Sequence, residues 1–328
     1  MSNTPTLPAL PNPAAPRAER IDALLACAVL APSTRNTQPW RFAVAGNRID
    51  LWIDPTRAQP VADADQREMF ISAGCALENL LLAAPQLGFE AHAALMPAPA
   101  QPLLAASVTL TDRTASTVTP LDAELFAQIP HRHTHHGAYD GQPLAATELA
   151  ALEAAARIDD VTLAWADEHT RPQIDALVEQ ADRALFAQAP YRRELGRWIG
   201  TGAFGTSAAA SALGRVAVSY LQPVSSFAAA DRKVLATSPA FGVLCAGDGG
   251  RASQVAVGRA LERVYLAAAR AGLAVQPVSQ LLQHADTRAA LTALLPASRV
   301  PLQPFRLGRP VDAARATPRR PLADVVSS

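Results

Sequence analysis

Apolar residues recur at helical spacing along much of the chain. Between Ile21 and Leu30, Leu24, Leu25 and Val29 share one face, and Pro32 stops what this pattern predicts to be a short amphipathic helix. A turn-rich loop follows, Ala31-Pro-Ser-Thr-Arg-Asn-Thr-Gln-Pro-Trp40. Arg41 to Val44 and Arg48 to Ile53 are β-prone runs flanking Gly46-Asn47, which predicts a hairpin. From Arg67 to Leu87 the spacing of Met69, Ile71, Ala76, Leu77, Leu80 and Leu81 predicts a long buried helix with Gly88 at its C-terminal cap. Leu103 to Leu110 reads as a strand.

The second half repeats this order loosely. Thr147 to Ala156 and Arg171 to Ala189 are predicted helices on either side of a strand at Val161 to Ala166. Tyr191 to Ser238 is rich in Gly, Ser and Ala and reads as an excursion between core elements. Phe241 to Ala246 is a short buried strand, Ser253 to Ala271 a second long helix ending at Gly272, and Val300 to Leu307 a late strand. Leu80-Leu-Leu-Ala-Ala-Pro-Gln-Leu-Gly-Phe89 and Tyr265-Leu-Ala-Ala-Ala-Arg-Ala-Gly-Leu273 look like one device used twice, so an imperfect internal duplication is expected. Helices mixed with a hairpin point to an α+β layer, and no Gly-x-Gly-x-x-Gly follows a predicted strand.

Composition narrows the class. The 328 residues are 49% hydrophobic and 18% charged, enough for a sizeable core, and 29 Lys plus Arg balance 29 Asp plus Glu. Zero formal charge leaves no electrostatic footprint for nucleic acid. Three scattered cysteines, Cys27, Cys75 and Cys245, exclude a disulfide framework and a Cys-based zinc site. Residues 1–18 read as a disordered arm without the apolar core of a secretory signal. The longest apolar run, Ala73 to Ala84, is broken by Glu78 and Asn79, so a membrane span is not expected and a cytoplasmic location is.

Three clusters carry candidate chemistry. Ser33-Thr34-Arg35-Asn36-Thr37-Gln38 gathers donors and acceptors of the kind a planar polar ring requires, although turn and cap chemistry alone explains such a cluster as well or better. In His131-Arg-His-Thr-His-His136, the residues Arg132, Thr134 and His136 alternate, so an extended segment would turn them toward one phosphate. A metal site is the rival reading, ranked lower for want of a nearby Cys, Asp or Glu in ligand register, and a solvated loop is the plain one. Thr317-Pro-Arg-Arg-Pro321 is either a surface basic pair or a tail closing over an anion.

These clusters together resemble a known family. Ala31-Pro-Ser-Thr-Arg-Asn-Thr-Gln-Pro-Trp-Arg-Phe42 resembles the A-P-S-x-x-N-x-Q-P-W-x-F signature of the FMN-dependent nitroreductases. Arg132-His-Thr-His-His136, with Tyr139 and Pro143, is similar to that family's R-R-S/T-x-R phosphate motif. Asp65-Gln-Arg-Glu68, Ile71-Ser-Ala-Gly-Cys-Ala-Leu77 and Thr317-Pro-Arg-Arg-Pro-Leu322 resemble the Acg-type branch, in which two nitroreductase-like halves are fused in one chain. The resemblance implies a nitroreductase-like α+β fold built as an internal pseudo-dimer. Its halves would span residues 19–125 and 126–328, with a helical or lid insertion at about 191–238.

The resemblance also implies one complete FMN site per chain, because the first half carries only the flavin-ring motif and the second only the phosphate motif. Ser33, Thr34 and Asn36 would bond the flavin ring or ribityl chain. Arg132, Thr134 and His136, with Arg319 and Arg320, would hold the phosphate. Pro277, Val278, Ser279 and Gln280 would lie against the isoalloxazine, the Ser279 N–H facing flavin N5. The family's last phosphate-motif Arg is His136 here, which would make phosphate binding pH-dependent. The implied activity is transfer of hydride from NAD(P)H through FMN to an electron-poor small molecule such as a nitroaromatic or quinone. The alternative is an FMN-holding protein whose site is closed by the 191–238 segment. As a pseudo-dimer the chain needs no second copy for its site, and further dimerisation stays open.

Overall fold

The computed structural model describes residues 7, 9–113, 118–221, 224–296, 298–313 and 316–327. Its first half comprises α1 (Arg17–Ala28), β1 (Trp40–Ala45), β2 (Arg48–Ile53), α2 (Arg67–Ala83), β3 (Phe89–Leu95), β4 (Leu104–Asp112) and α3 (Pro120–Gln128). There follow α4 (Ala146–Ala155), β5 (Thr162–Trp165) and α5 (Thr170–Ala187), then α6 (Ala189–Gly200), α7 (Ala208–Val216) and α8 (Val224–Leu235). The chain continues through β6 (Ala240–Ala246), α9 (Arg251–Arg270), β7 (Ala274–Pro277), α10 (Gln280–Gln283), α11 (Ala285–Ala293), β8 (Val300–Gly308) and β9 (Val326–Ser327).

The expected mixture of helix and sheet is present, with informative shifts. The arm is shorter than expected: Leu7 packs against the core, and α1 begins at Arg17, directly after Pro16, whose extended backbone (φ −48, ψ 138) makes it the N-cap residue. Residues 1–6 and 8 lie outside the described residues. Pro85 ends α2 early, the chain tightening into a 3₁₀ turn over Ala84–Leu87 before Gly88. The segment expected to be irregular, 191–238, is largely helical, formed by most of α6 with α7 and α8. Strands β3, β7 and β9 went unrecognised because β3 is alanine-rich, β7 contains Pro277 and β9 has two residues.

Two sheets face each other across two helices. The first has the order β3-β4-β2-β1-β9 and the second β5-β6-β8-β7. All pairings are antiparallel except that of β9, which returns from the end of the chain to lie parallel to β1 through Phe42 and Val326. Helix α2 packs on the first sheet, α9 on the second, and the two helices pack on each other. One continuous hydrophobic cluster runs from Leu24 and Trp40 through Leu77 and Leu261 to Phe305. Among the described residues one helix, Arg67–Leu87, is long and apolar enough to cross a membrane; its apolar window is 83% buried, so its composition is that of a core axis.

The α2–α9 crossing is made by glycines. A Cβ on Gly74 would stand 2.1 Å from the Val255 carbonyl oxygen and 2.8 Å from Gly258 Cα; one on Gly258 would stand 2.0 Å from the Ile71 carbonyl oxygen. The two helices also match in one ungapped register, Ile71-Ser-Ala-Gly-Cys-Ala-Leu-Glu78 over Val255-Ala-Val-Gly-Arg-Ala-Leu-Glu262. This register runs into the Leu81–Phe89 and Tyr265–Leu273 segments and carries the duplication through the crossing itself. Glu78 and Glu262 therefore occupy equivalent places with different partners. Glu78 accepts from Arg259 and Arg263, both at 2.8 Å. Glu262 faces Arg132 at 3.7 Å and, with the Asn79 amide set so that both its ends are satisfied, accepts from Asn79 at 2.9 Å.

Helix α6 lies over the seam between the two helix–sheet layers and is tied to residues of both. Glu194 accepts from the backbone N–H groups of Val61 at 3.1 Å and Ala62 at 2.9 Å and pairs with Arg35 at 3.5 Å, while Arg35 stacks on Tyr191. Tyr191 also donates to Gln283, which donates to Glu68 at 2.7 Å on α2.

Gly74→Ala and Gly258→Ala should each destabilise the protein by about 3 kcal/mol, since the new methyl meets backbone and not a yielding side chain. Gly249→Ala, whose Cβ would meet only Val300 Cγ1 at 3.7 Å, serves as the tolerant control. Urea unfolding followed by circular dichroism checks both. Glu194→Ala should cost about 2 kcal/mol in the same assay, because it strands two N–H groups, and should expose Arg192, Arg193 and Arg197 to trypsin. Glu194→Gln should recover part of that loss.

Candidate functional site

A cavity of about 770 Å³ opens at the seam, between the α1–β1 loop, the helices α2 and α9, the loop after α3 and the segment after β7. Tyr191 and Phe204 close it from α6 and the turn after it, and Thr317 and Arg319 from the C-terminal segment. Its walls come from both helix–sheet layers.

The first wall is the Ser33–Gln38 loop. Arg35, Asn36 and Gln38 take left-handed backbone with φ of 50°, 54° and 50°, a conformation costing about 1–3 kcal/mol at each non-glycine residue. Neighbours hold it in place: Ser33 Oγ accepts from Gln38 N at 2.8 Å, Arg57 donates to the Thr37 carbonyl at 2.6 Å, and Thr34 N donates to Ser72 Oγ at 3.3 Å. The Asn36 amide donates to two carbonyls at 2.9 Å, Ala203 of the turn after α6 and Pro318 of the tail. Gly205, at φ +71, lies so close to the tail that a Cβ would come within 2.5 Å of the Ala316 carbonyl. Asn36 therefore ties the loop, the turn after α6 and the tail together.

The second wall is cationic. Arg132 is 5% exposed, and its Nη2 donates to the Leu30 carbonyl at 3.3 Å; Arg319 Nη2 donates to the same oxygen at 3.0 Å. Arg132 also stacks on Tyr265, whose hydroxyl pairs with Thr134 Oγ1 at 2.9 Å. Two guanidiniums on one carbonyl repel. Burial together with Arg132 pulls the Arg319 pKa down to about 9, and burial lifts Glu262 to about 7 against the pull of both arginines. Burial and the same two guanidiniums hold His133 down to about 4. Arg132 Nε and Nη1 and Arg319 Nε are buried N–H groups without hydrogen-bond partners.

The third wall lies at the other end of the motif. Thr134 bridges to Val275, so residues 134–136 run alongside β7, and His136 Nδ1 meets Gln276 Nε2 at 3.1 Å. Desolvation by its surroundings, then Arg306 and His135, push the His136 ring down to about 4, although the residue remains exposed at the cavity. Pro277, Ser279 and Gln280 line the cavity beside it.

Of the residues singled out from sequence, the cavity gathers Ser33, Thr34, Asn36, Arg132, Thr134, His136, Pro277, Ser279, Gln280 and Arg319. Two are placed elsewhere. Val278 turns into a second core cluster with Val243 and Leu281, its backbone paired to Pro304, because the chain alternates as it leaves β7. Arg320 donates to the Gln38 and Asp324 carbonyls and pairs with Asp54 at 3.6 Å, bracing the first loop from behind. His136 reaches the cavity but as a neutral ring at physiological pH, so it adds no charge for a phosphate. The residue beside the guanidiniums is His133, which the alternation argument passed over; the Arg-His-Thr spacing was its only sequence signal. Glu262 and Tyr265 were missed too, although the duplicated register marks Glu262 as the partner of Glu78. Among the described residues no group of three or more His, Cys, Asp or Glu is placed to hold a metal ion.

No protein-family model matches the chain. Rv3131 of Mycobacterium tuberculosis strain H37Rv, provisionally named an NAD(P)H nitroreductase, is 31% identical over 336 residues, covering 97% of this chain and 94% of its own length. The acg protein of the same strain, named in the same way, is 28% identical over 92% of each chain. Solved structures are more distant. The FMN-dependent nitroreductase NfnB from Mycobacterium smegmatis, in complex with NADPH, has 16% identity over 63% of this chain and 98% of its own, with a TM-score of 0.44. A provisionally named nitroreductase from Anabaena variabilis has 12% identity over 80% and 69%, with a TM-score of 0.49. On the end-to-end similarity to Rv3131, this chain belongs to the nitroreductase family.

Proposed function

We propose that the chain is an FMN-binding oxidoreductase that takes hydride from NAD(P)H and reduces an electron-poor small molecule of nitroaromatic or quinone type. The observation that carries this reading is the cationic wall. The buried Arg132 and the half-buried Arg319 converge on one carbonyl oxygen and keep three guanidinium nitrogens without acceptors, an arrangement that a phosphate dianion completes. A cavity of about 770 Å³ beside it accommodates a flavin ring with room for a second planar molecule. The donor set fits FMN: Arg132 and Arg319 for the phosphate, and Ser33, Thr34, Asn36 and the Ser279 backbone for the ring and ribityl chain.

Bound FMN would supply the redox chemistry, accepting hydride at N5 and passing electrons on. The chain's own residues then bind, orient and exclude water. Glu262 offsets the paired cations from behind, and Tyr265 stacks on Arg132 and fixes the Thr134 hydroxyl. Tyr191 and Phe204 cover the mouth. In this reading residues 19–125 and 126–328 are the two halves of a pseudo-dimer sharing one site, complete in a single copy of the chain.

The closed state of the lid favours a second reading, an FMN-holding protein with little turnover, because Asn36 is spent on Ala203 and Pro318. Stopped-flow reduction of the FMN-loaded chain separates the two. Bleaching of the flavin by NADH or NADPH is expected; bleaching by dithionite alone would leave only the holding role. A colourless preparation that refuses added FMN would sink both.

Arg132→Ala should weaken FMN at least tenfold in a fluorescence titration, the loss of charge-assisted hydrogen bonds being worth about 1.5–3 kcal/mol. Arg35→Ala, which releases Glu194, should change affinity far less; equal losses would count against this register. A pH effect follows from His133. Its pKa is lowered in the folded chain, from an ordinary 6.5 to about 4, so below pH 6.5 the unfolded chain takes up a proton that the native one refuses. That contribution to stability is complete above pH 6.5 and is lost as pH falls toward 4. Between pH 7 and pH 5, wild type should therefore lose more melting temperature than His133→Gln, and saturating FMN should narrow the gap by offsetting the guanidinium charge.

A further inference from the structure

Arg306 is 3% exposed on β8 and is satisfied entirely by neutral acceptors. A guanidinium has five N–H groups. Nε donates to Gln276 Oε1 at 2.7 Å, and Nη2 donates to the same oxygen and to the Gly137 carbonyl at 2.8 Å. Nη1 donates to Ser238 Oγ at 3.1 Å and to the Val234 carbonyl at 3.3 Å. Tyr139 covers its face, the guanidinium carbon 4.6 Å from the ring centre. No freedom is left in this arrangement: Arg306 is always protonated, so the end of Gln276 that faces it is the carbonyl oxygen.

That orientation propagates. With Oε1 on Arg306, the Gln276 NH₂ is the end that meets His136 Nδ1 at 3.1 Å, and an NH₂ can only donate. Nδ1 must accept, so the ring proton sits on Nε2. His136 lines the cavity, and with Nδ1 engaged, Nε2–H is the polar atom it has to offer an occupant. The charged groups facing this ring are Arg306, through the Gln276 amide, and the neighbouring His135, whose Nε2 is itself within 3.0 Å of the Ala138 carbonyl. Neither favours an imidazolium.

We propose that Arg306 and Gln276 are positioning residues that hold His136 in its Nε2–H form, presenting a hydrogen bond and not a cation to a carbonyl oxygen of the planar ring system bound beside Pro277. Naming that ring system as the flavin rests on the reading above; the tautomer does not. The cavity then has two poles of different character: an ionic one at Arg132 and Arg319 for a phosphate, and a neutral donor at His136 for a ring carbonyl.

The test has two arms. The first uses the chain without FMN, labelled with ¹⁵N-histidine, in long-range ¹H–¹⁵N spectra, the His136 signal being assigned by its loss in His136→Gln. Wild type should show protonated Nε2 and bare Nδ1 from pH 8 to pH 5. Gln276→Glu, whose carboxylate accepts from Arg306 and from an Nδ1–H at once, should protonate Nδ1 and bring the ring's titration into that range. Gln276→Leu should give a mixture of tautomers, and a native circular dichroism melt qualifies each variant. A wild-type ring protonated at Nδ1, or one unchanged in both variants, overturns the proposal.

The second arm adds FMN. Gln276→Glu should move the potential of the bound flavin to more positive values, while Gln276→Leu keeps FMN affinity within about threefold of wild type. A tenfold loss of FMN in Gln276→Leu would return His136 to the phosphate and overturn the placement at the ring. Failure of every variant and of wild type to bind FMN would overturn the flavin reading while the first arm still decides the tautomer.

Discussion

The approach of α2 to α9 at Gly74 and Gly258 is the constraint on which the rest depends. A carbonyl oxygen of each helix fills the space where the other's Cβ would stand, so the two backbones meet without side chains between them. The first sheet packs mainly on α2 and the second on α9. The distance between the halves, and hence the width of the cavity along the seam, is therefore set by two residues that have no side chain. A wider crossing would separate Cys75 and Ser72 on one wall from Tyr265 and Leu261 on the other.

A site assembled at such a seam draws its residues from segments far apart in the chain. The Leu30 carbonyl comes from the end of the first helix, Arg132 from the middle of the chain and Arg319 from its tail. The tail reaches the site because β9 goes on to join the first sheet beside β1, carrying residues 316–325 across the mouth. The cost of gathering two cations is felt locally at Glu262, which burial lifts to about 7 even with both guanidiniums beside it. Stability of the fold and readiness for an anion are thus in tension at the same few residues.

Much of this was legible in the sequence, and the exceptions have physical reasons. Hydrophobic periodicity located α1, α2, α5, α9 and the first hairpin, since each buries one continuous face. It missed β3 and β7, where alanine and proline replace β-branched residues. The Ser33–Asn36 cluster was visible as polar groups between elements. Arg132 was legible from the alternation of Arg132, Thr134 and His136, whereas Arg319 gained meaning only through the family resemblance, because composition cannot distinguish a buried cation from a surface one. Val278 and Arg320 were misplaced by one step of side-chain direction, which a motif does not encode. The protonation of His136 is not legible in the sequence, because Arg306 and Gln276, which stand behind its ring, lie on strands whose pairing no local pattern announces.

Glu78 and Glu262 show what a motif repeated within one chain permits. They hold the same place in the duplicated register, yet one is locked by Arg259 and Arg263 while the other, opposite Cys75 and Asn79, is left to face Arg132. In an assembly of two identical subunits a single substitution appears at both places at once. Cys75 could not face the cavity on one side while an arginine sealed the equivalent position on the other. Within a single chain that restriction is absent: one copy of the motif is closed by ion pairs while the other faces an arginine at the cavity, an asymmetry closed to any symmetric dimer.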